Sequence, residues 1–207
     1  MTTPFALDLV AVLIFALTGA LRASRAQLDI IGFLFLACLT GVGGGTVRDL
    51  LLDRNPVFWL DRPSYIAVAC AAGIVVFCTA HLLESRARGL LWLDAAALAI
   101  ATSAGVASAA DVERAPVVLV IMGVVTGTLG GLMRDVVARE VPLVLRAGEL
   151  YVAAAFAGAV AGVVAMQLTP DPILPAVIGA GVTFALRAGS LAFGWRLPVY
   201  RPRPPRG

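Results

Sequence analysis

Seven stretches of this chain, residues 5 to 21, 28 to 52, 64 to 83, 90 to 109, 116 to 138, 149 to 168 and 173 to 195, are apolar over roughly bilayer-spanning lengths. A helix rising about 1.5 Å per residue crosses about 30 Å of hydrocarbon in about 20 residues. None of the seven alternates with period two, as a transmembrane barrel strand would. Backbone groups in lipid must pair within their own segment, which leaves helices. With 14% charged residues and a mean hydropathy of +0.93, the chain also lacks the polar surface of a soluble globule, where charged residues make up about 25%. The fold class is therefore an all-α integral membrane protein with seven transmembrane helices, and a water-soluble enzyme is excluded. The first segment has no basic stretch before it and is interrupted by Asp8, so it reads as a retained helix rather than a signal peptide.

The sixteen basic residues are all arginine, and in a membrane protein they report topology before partners. On the side of the N-terminus the loops hold Arg54, Arg62 and Arg114. The other side holds Arg22, Arg25, Arg86, Arg88, Arg139, Arg146, Arg196, Arg201, Arg203 and Arg206. The bias puts the C-terminus in the cytoplasm and the N-terminus outside. The proline-rich basic tail, 197–207, reads as a cytoplasmic end near anionic lipid heads, and no nucleic-acid partner is expected. Trp59, Trp92 and Trp195 near span ends fit aromatic belts. Cys38, Cys70 and Cys78 have no ligand or disulfide spacing, and His81 ends a span as an interfacial residue, so no metal or cofactor is expected.

Sliding the chain by 86 positions superposes its scarcest residues without a gap. Asp8 falls on Asp94, Gly19 on Gly105, Thr40 and Gly41 on Thr126 and Gly127, Gly44 and Gly45 on Gly130 and Gly131. Arg48 and Asp49 fall on Arg134 and Asp135, Pro56 on Pro142, and Tyr65 on Tyr151. Each unit carries three spans, so the second enters the membrane from the opposite face. The expected organisation is two inverted three-helix repeats, 1–86 and 87–170, then a seventh helix at 171–196 and the tail.

The second span reads Gly-Gly-Gly-Thr-Val-Arg-Asp from Gly43 to Asp49, and the fifth reads Gly-Gly-Leu-Met-Arg-Asp from Gly130 to Asp135. Each glycine costs about 1 kcal/mol of helix propensity against alanine. A cluster permits a kink whose freed carbonyls are tolerable only beside a wet cavity or protein partners. On this reading Gly43, Gly44, Gly45, Thr46, Gly127, Thr128, Gly130 and Gly131 form a pore or hinge. The alternative is close helix packing, since Gly41 with Gly45 and Gly127 with Gly131 are GxxxG pairs. Thr40, Thr46, Thr126 and Thr128 could offer hydroxyls to a dehydrating ion or satisfy their own helix carbonyls.

Charges within spans are costly and should face the bundle interior with partners. Equal depth pairs Asp8 with Arg48 near one end and Asp94 with Arg134 near the other. Asp49 and Asp135, one residue on, should point elsewhere and face permeant cations. Arg187 has no repeat counterpart and reads as a snorkelling anchor in preference to a gating charge. Tyr65 and Tyr151 read as belt residues.

The doubled glycine and Arg-Asp motifs, on the second and fifth of seven spans in inverted repeats, resemble the prokaryotic trimeric intracellular cation (TRIC) channel family, also labelled putative glycine transporters. The resemblance covers about residues 5 to 195. It implies a homotrimer with one pore per protomer, lined by kinked second and fifth helices, and permeation of potassium, with sodium as a second ion. The phosphoinositide-binding basic motif of animal members is not matched, because Arg48-Asp49-Leu50 contains no lysine. Leu129 stands where a partner of Gly43 would fall. The residues leave two classes open: a passive cation channel, and a secondary transporter of a small zwitterion such as glycine, worked by rocking of the repeats. Neither needs covalent chemistry, and no catalytic constellation is present.

Overall fold

The computed structural model describes residues 3–82, 86–112 and 115–200. Among them are eight helices: α1 (Thr3–Arg25), α2 (Ile30–Leu51), α3 (Phe58–Asp61), α4 (Ser64–Thr79), α5 (Arg86–Ala110), α6 (Pro116–Val137), α7 (Val152–Leu168) and α8 (Leu174–Phe193). Six are long and apolar enough to cross a membrane, and α7 is a shorter apolar helix of 17 residues, at the lower limit for a span. The short α3, unforeseen in the sequence, occupies the place that the turn Leu143–Leu145 holds 86 positions later.

Two three-helix bundles result, α1 with α2 and α4, and α5 with α6 and α7. They join where α1 packs on α5 and α2 crosses α6, while α8 lies against α5 and α7. Each bundle has its own apolar centre: Leu21, Phe33, Leu36 and Tyr65 in the first, Leu98, Leu143, Tyr151 and Ala155 in the second.

Helix ends are set by local chemistry. Asp29 caps α2 by accepting from the Gly32 amide at 2.8 Å. Asp171, in the loop before α8, accepts from the Ile173 and Leu174 amides at 2.7 and 3.0 Å. Those two bonds hold its carboxyl below the usual carboxylate range. Gly194, at φ +69°, supplies the left-handed residue that ends α8.

Several boundaries differ from the sequence reading. α1 continues to Arg25, so Arg22, expected in a loop, lies inside the helix and is 2% exposed. Arg86 and Arg88 fall in the first turn of α5. Through the glycine-rich stretches α2 and α6 each run as one continuous helix. Glycine's propensity cost is met here by packing, because the bare faces let two helix backbones touch. Arg114, Glu84 and tail residues 201–207 lie outside the described residues.

Candidate functional site

The middle of the molecule is a crossing of glycine faces. A Cβ on Gly44 would run into the carbonyl oxygen of Thr126 on α6, and one on Gly130 would meet the carbonyl oxygen of Thr40 on α2. Thr40 and Thr126 are themselves repeat mates, so the contact is reciprocal. Flanking glycines seat other neighbours. Gly41 faces the Val12 carbonyl of α1, Gly127 the Thr102 hydroxyl of α5, and Gly43 the Met133 sulfur of α6. Gly45 faces the Phe58 ring, and Gly131 faces the Tyr151 hydroxyl.

The threonine hydroxyls are spent on their own helices. Thr40 donates to Leu36 O and Thr126 to Met122 O, both at 2.6 Å. Thr46 donates to Val42 O at 2.7 Å and Thr128 to Val124 O at 2.8 Å. Thr46 also accepts from the Trp59 indole at 2.9 Å, so Trp59 is tied to α2 rather than left to a lipid belt.

Each end of the crossing carries an arginine held by two aspartates. At the first end Arg48 Nη1 donates to Asp8 Oδ1 at 2.8 Å and its Nε to Asp49 Oδ1 at 2.9 Å. At the second, Arg134 Nη1 donates to Asp94 Oδ1 at 2.7 Å and its Nε to Asp135 Oδ1 at 2.9 Å. Both guanidiniums are fully buried. Asp49 and Asp135 therefore do not project alone towards an ion. They fold back, accepting also from the amides of Phe58 (2.8 Å) and Leu143 (3.2 Å), and so hold the following turns in place. Arg48 and Arg134 each keep Nη2 without a hydrogen-bond partner among the described residues.

Beyond these shared features the ends diverge. Asp8, Arg48 and Asp49 line a cavity of about 400 Å³ together with Arg54, Arg62 and Asp111. Counting Asp61, four carboxylates face three guanidiniums around it, so its formal balance is negative and favours cations. A second, separate space between Phe15, Gly44, Ala101 and Thr126 is only about 10 Å³, about that of one water.

At the other end Asp94, Arg134 and Asp135 are wholly buried. Arg22 reaches in, 3.2 Å from Asp135 Oδ1 and 2.7 Å from Glu140, and Thr18 accepts from Arg134 at 2.8 Å. Arg22 was missed because an arginine at a span end looks like a topology marker. The available signal was the repeat itself, in which Arg22 falls on Ser108, a residue of the last turn within the fourth span.

Arg187 is not a snorkelling anchor. It is fully buried, 2.7 Å from Glu149 and with its guanidinium 5.3 Å from the Tyr151 ring centre. Tyr65 and Tyr151 are likewise 3% and 1% exposed, which places them in the bundle rather than in a belt. The acidic partner of Arg187 comes from the segment between α6 and α7, and a buried guanidinium is tolerated only beside such a partner.

Comparison with known proteins fits this architecture. The family described as Glycine transporter matches twice, over residues 5–81 and 91–167, once per repeat. The inner membrane protein YadS (UPF0126) of Escherichia coli K12 is 37% identical over 199 residues, 94% of each chain. A UPF0126 membrane protein of Deinococcus radiodurans is 36% identical over 197 residues, 94% of this chain and 91% of that one. Among solved structures, the TRIC trimeric intracellular cation channel orthologue of Rhodobacter sphaeroides is 41% identical with a TM-score of 0.90, covering 94% of this chain and all of that one. A second TRIC cation channel, solved to explain conductance, has a TM-score of 0.85 at 27% identity and covers 99% of this chain and 100% of its own. A full-length fold shared with cation channels, a family match in each repeat and relatives named as bacterial inner membrane proteins agree with one another. The chain belongs to the prokaryotic TRIC cation channel family, the membrane protein family also described as glycine transporters.

Proposed function

We propose that this protein is a homotrimeric, potassium-permeable channel with one pore in each protomer. The pore runs through the glycine crossing of α2 and α6, between the Asp8–Arg48 and Asp94–Arg134 clusters. The observation that carries this reading is the crossing itself: backbone against backbone, with a cation-attracting cavity on one side and a space of about 10 Å³ in between. Parting α2 from α6 would expose glycine backbone and threonine carbonyls, ligands suited to a partly dehydrated monovalent cation. No bound cofactor or covalent chemistry is required. Gating consists of motion at the two charged ends, and sodium permeates as a second ion. The N-terminus is extracellular and the C-terminus cytoplasmic. Arg22 is buried, yet the arginine bias that supports this orientation survives its removal from the count.

The test is reconstitution of the purified protein in a planar bilayer under a potassium gradient. Discrete openings that reverse near the potassium potential are expected, and they should vanish in Gly44→Leu, whose side chain fills the crossing. Cross-linking of the purified protein should stop at three subunits.

One observation favours a second reading, transport of a small zwitterion such as glycine. The cavity presents aspartates beside an arginine, charges of both signs that suit the two ends of a zwitterion. Silence in the bilayer combined with saturable uptake of labelled glycine into liposomes would establish that reading and end the first.

A further inference from the structure

We infer that Glu149 and Arg187 are positioning residues for the sealed end of the pathway, and that the strap after α8, Gly194 to Val199, holds them in register. The inference rests on the channel reading for its functional consequence, and on geometry for the linkage itself.

The strap's return path is fixed at several points. Gly194, in the left-handed region, turns the chain back at the end of α8. The Trp195 ring lies on Gly189 so closely that a Cβ there would collide with it, and Ser190 Oγ donates to the Trp195 carbonyl at 3.1 Å. The Leu197 amide donates to Gly148 O at 2.8 Å, and Glu149 pairs with Arg196 in an antiparallel bridge. Gly148 sits at φ +80°, a backbone setting that L side chains rarely adopt, so the segment that carries Glu149 is shaped to receive the strap.

From Glu149 the contacts lead inward. Its carboxylate lies 2.7 Å from Arg187 Nη2, the ion partner found for that buried guanidinium among the described residues. Arg187 in turn lies over the Tyr151 ring at 5.3 Å. Tyr151 ends at the pathway: a Cβ built on Gly131 would stand 2.9 Å from its hydroxyl, 3.4 Å from Asp94 Oδ1 and 3.6 Å from Arg134 Nη2. Strap, Glu149, Arg187 and Tyr151 thus form a chain of contacts that ends at Gly131, the glycine whose bare face the Asp94–Arg134 pair also borders. A buried arginine keeps its place only while its counter-charge does, so displacing Glu149 frees the group that lies over Tyr151.

Among the described residues the opposite end has no such chain. Pro63 occupies the repeat position of Glu149 and Arg62 that of Gly148. Tyr65, the mate of Tyr151, is held edge-on between the Phe5 and Phe58 rings instead. The linkage therefore belongs to the sealed end alone, and it makes the strap a handle on that end.

The experiment uses the full chain in lipid nanodiscs and compares wild type, Glu149→Gln and Trp195→Ala by amide hydrogen exchange and single-channel recording. Trp195 is half exposed and lies outside the helices, so its variant tests the linkage without emptying the bundle. Expected are at least fivefold faster exchange in the strap and a matching rise in residues 148–155 and 131–138 for both variants. Open probability should change at least threefold with unitary conductance unchanged, a split that a general loss of packing would not give. Faster exchange confined to the strap would overturn the inference, as would a fall in conductance without a change in open probability. If wild type conducts nothing, the channel reading fails, while the exchange data still decide whether strap and Tyr151 are linked.

Discussion

The two ends of the glycine crossing carry the same arginine and aspartate motif, yet one lines a cavity and the other is wholly buried. Both hold an arginine between two aspartates with nearly identical distances, 2.8 and 2.9 Å at the first end, 2.7 and 2.9 Å at the second. Among the many repeat positions that differ, four lie beside the ion pairs: Ser108 where the sealed end has Arg22, Arg54 where it has Glu140, Ala104 where it has Thr18, and Pro63 where it has Glu149. Duplication supplied the ion pairs, and substitution around them decided which pair meets water. An inverted repeat is directional only through such differences, and at the crossing the reciprocal contacts of Gly44 with Thr126 and Gly130 with Thr40 are kept.

The largest effect should come from breaking the pairs one at a time. Arg134 stands in a dry site, so Asp94→Ala leaves an uncompensated buried charge, a change that costs about 3–5 kcal/mol. Asp8 borders the cavity, where water can reach the charge left behind, and Asp8→Ala should cost only about 1–3 kcal/mol. Thermal unfolding of the purified variants measures both. Equal losses would mean that the two ends are equally dry and would remove the distinction. A double-mutant cycle on Asp8 and Arg48 should also show coupling, and purely additive losses there would dispose of the pair as an energetic unit.

Exchanging the residues that distinguish the ends should come next. Arg22→Ser copies the open end into the sealed one, and Ser108→Arg does the reverse. Without Arg22, Asp135 keeps Arg134 and the Leu143 amide but loses its bond across to α1, so open probability should rise about tenfold, equivalent to about 1.4 kcal/mol. Ser108→Arg should place a guanidinium at the cavity beside Asp8, now 3.4 Å from the Ser108 hydroxyl, and lower conductance for cations. Bilayer recordings on the two variants test this as a matched pair. Variants that behave alike would show that Arg22 is structural rather than a lock.

The symmetrical part of the molecule was the legible part. Asp, Arg and Gly at a fixed offset stand out in a background of Ala, Val and Leu, and equal depth is enough to pair Asp8 with Arg48 and Asp94 with Arg134. Close helix packing was one of two readings the glycines allowed, and the residue each glycine would pack against was not legible, because it lies on another helix: Gly44 alone reads as a weakness, Gly44 against Thr126 reads as a contact. Nor was the fate of Asp49 and Asp135, whose second oxygens bind amides of turns that follow only after the helix ends. Arg22 and Arg187 were misread for one reason. An arginine near a span end can be solvated, snorkelling or buried, and only its neighbours in space decide which.

The smallest expected effect separates the ends once more. Thr18 donates to Phe15 O and accepts from Arg134 Nη1, both at 2.8 Å and both buried. Thr18→Ala therefore leaves a buried guanidinium nitrogen short of an acceptor and should cost about 1–2 kcal/mol. At the open end the corresponding support for the aspartate is the 3.4 Å contact from Ser108, long for an O–H donor and replaceable by water from the cavity. Ser108→Ala should cost less than about 0.5 kcal/mol. Chemical denaturation in mild detergent can resolve the two. If Ser108→Ala proves the costlier change, the cavity is not wet enough to replace a protein hydrogen bond, and Asp8 depends on Ser108 more than the distance between them indicates.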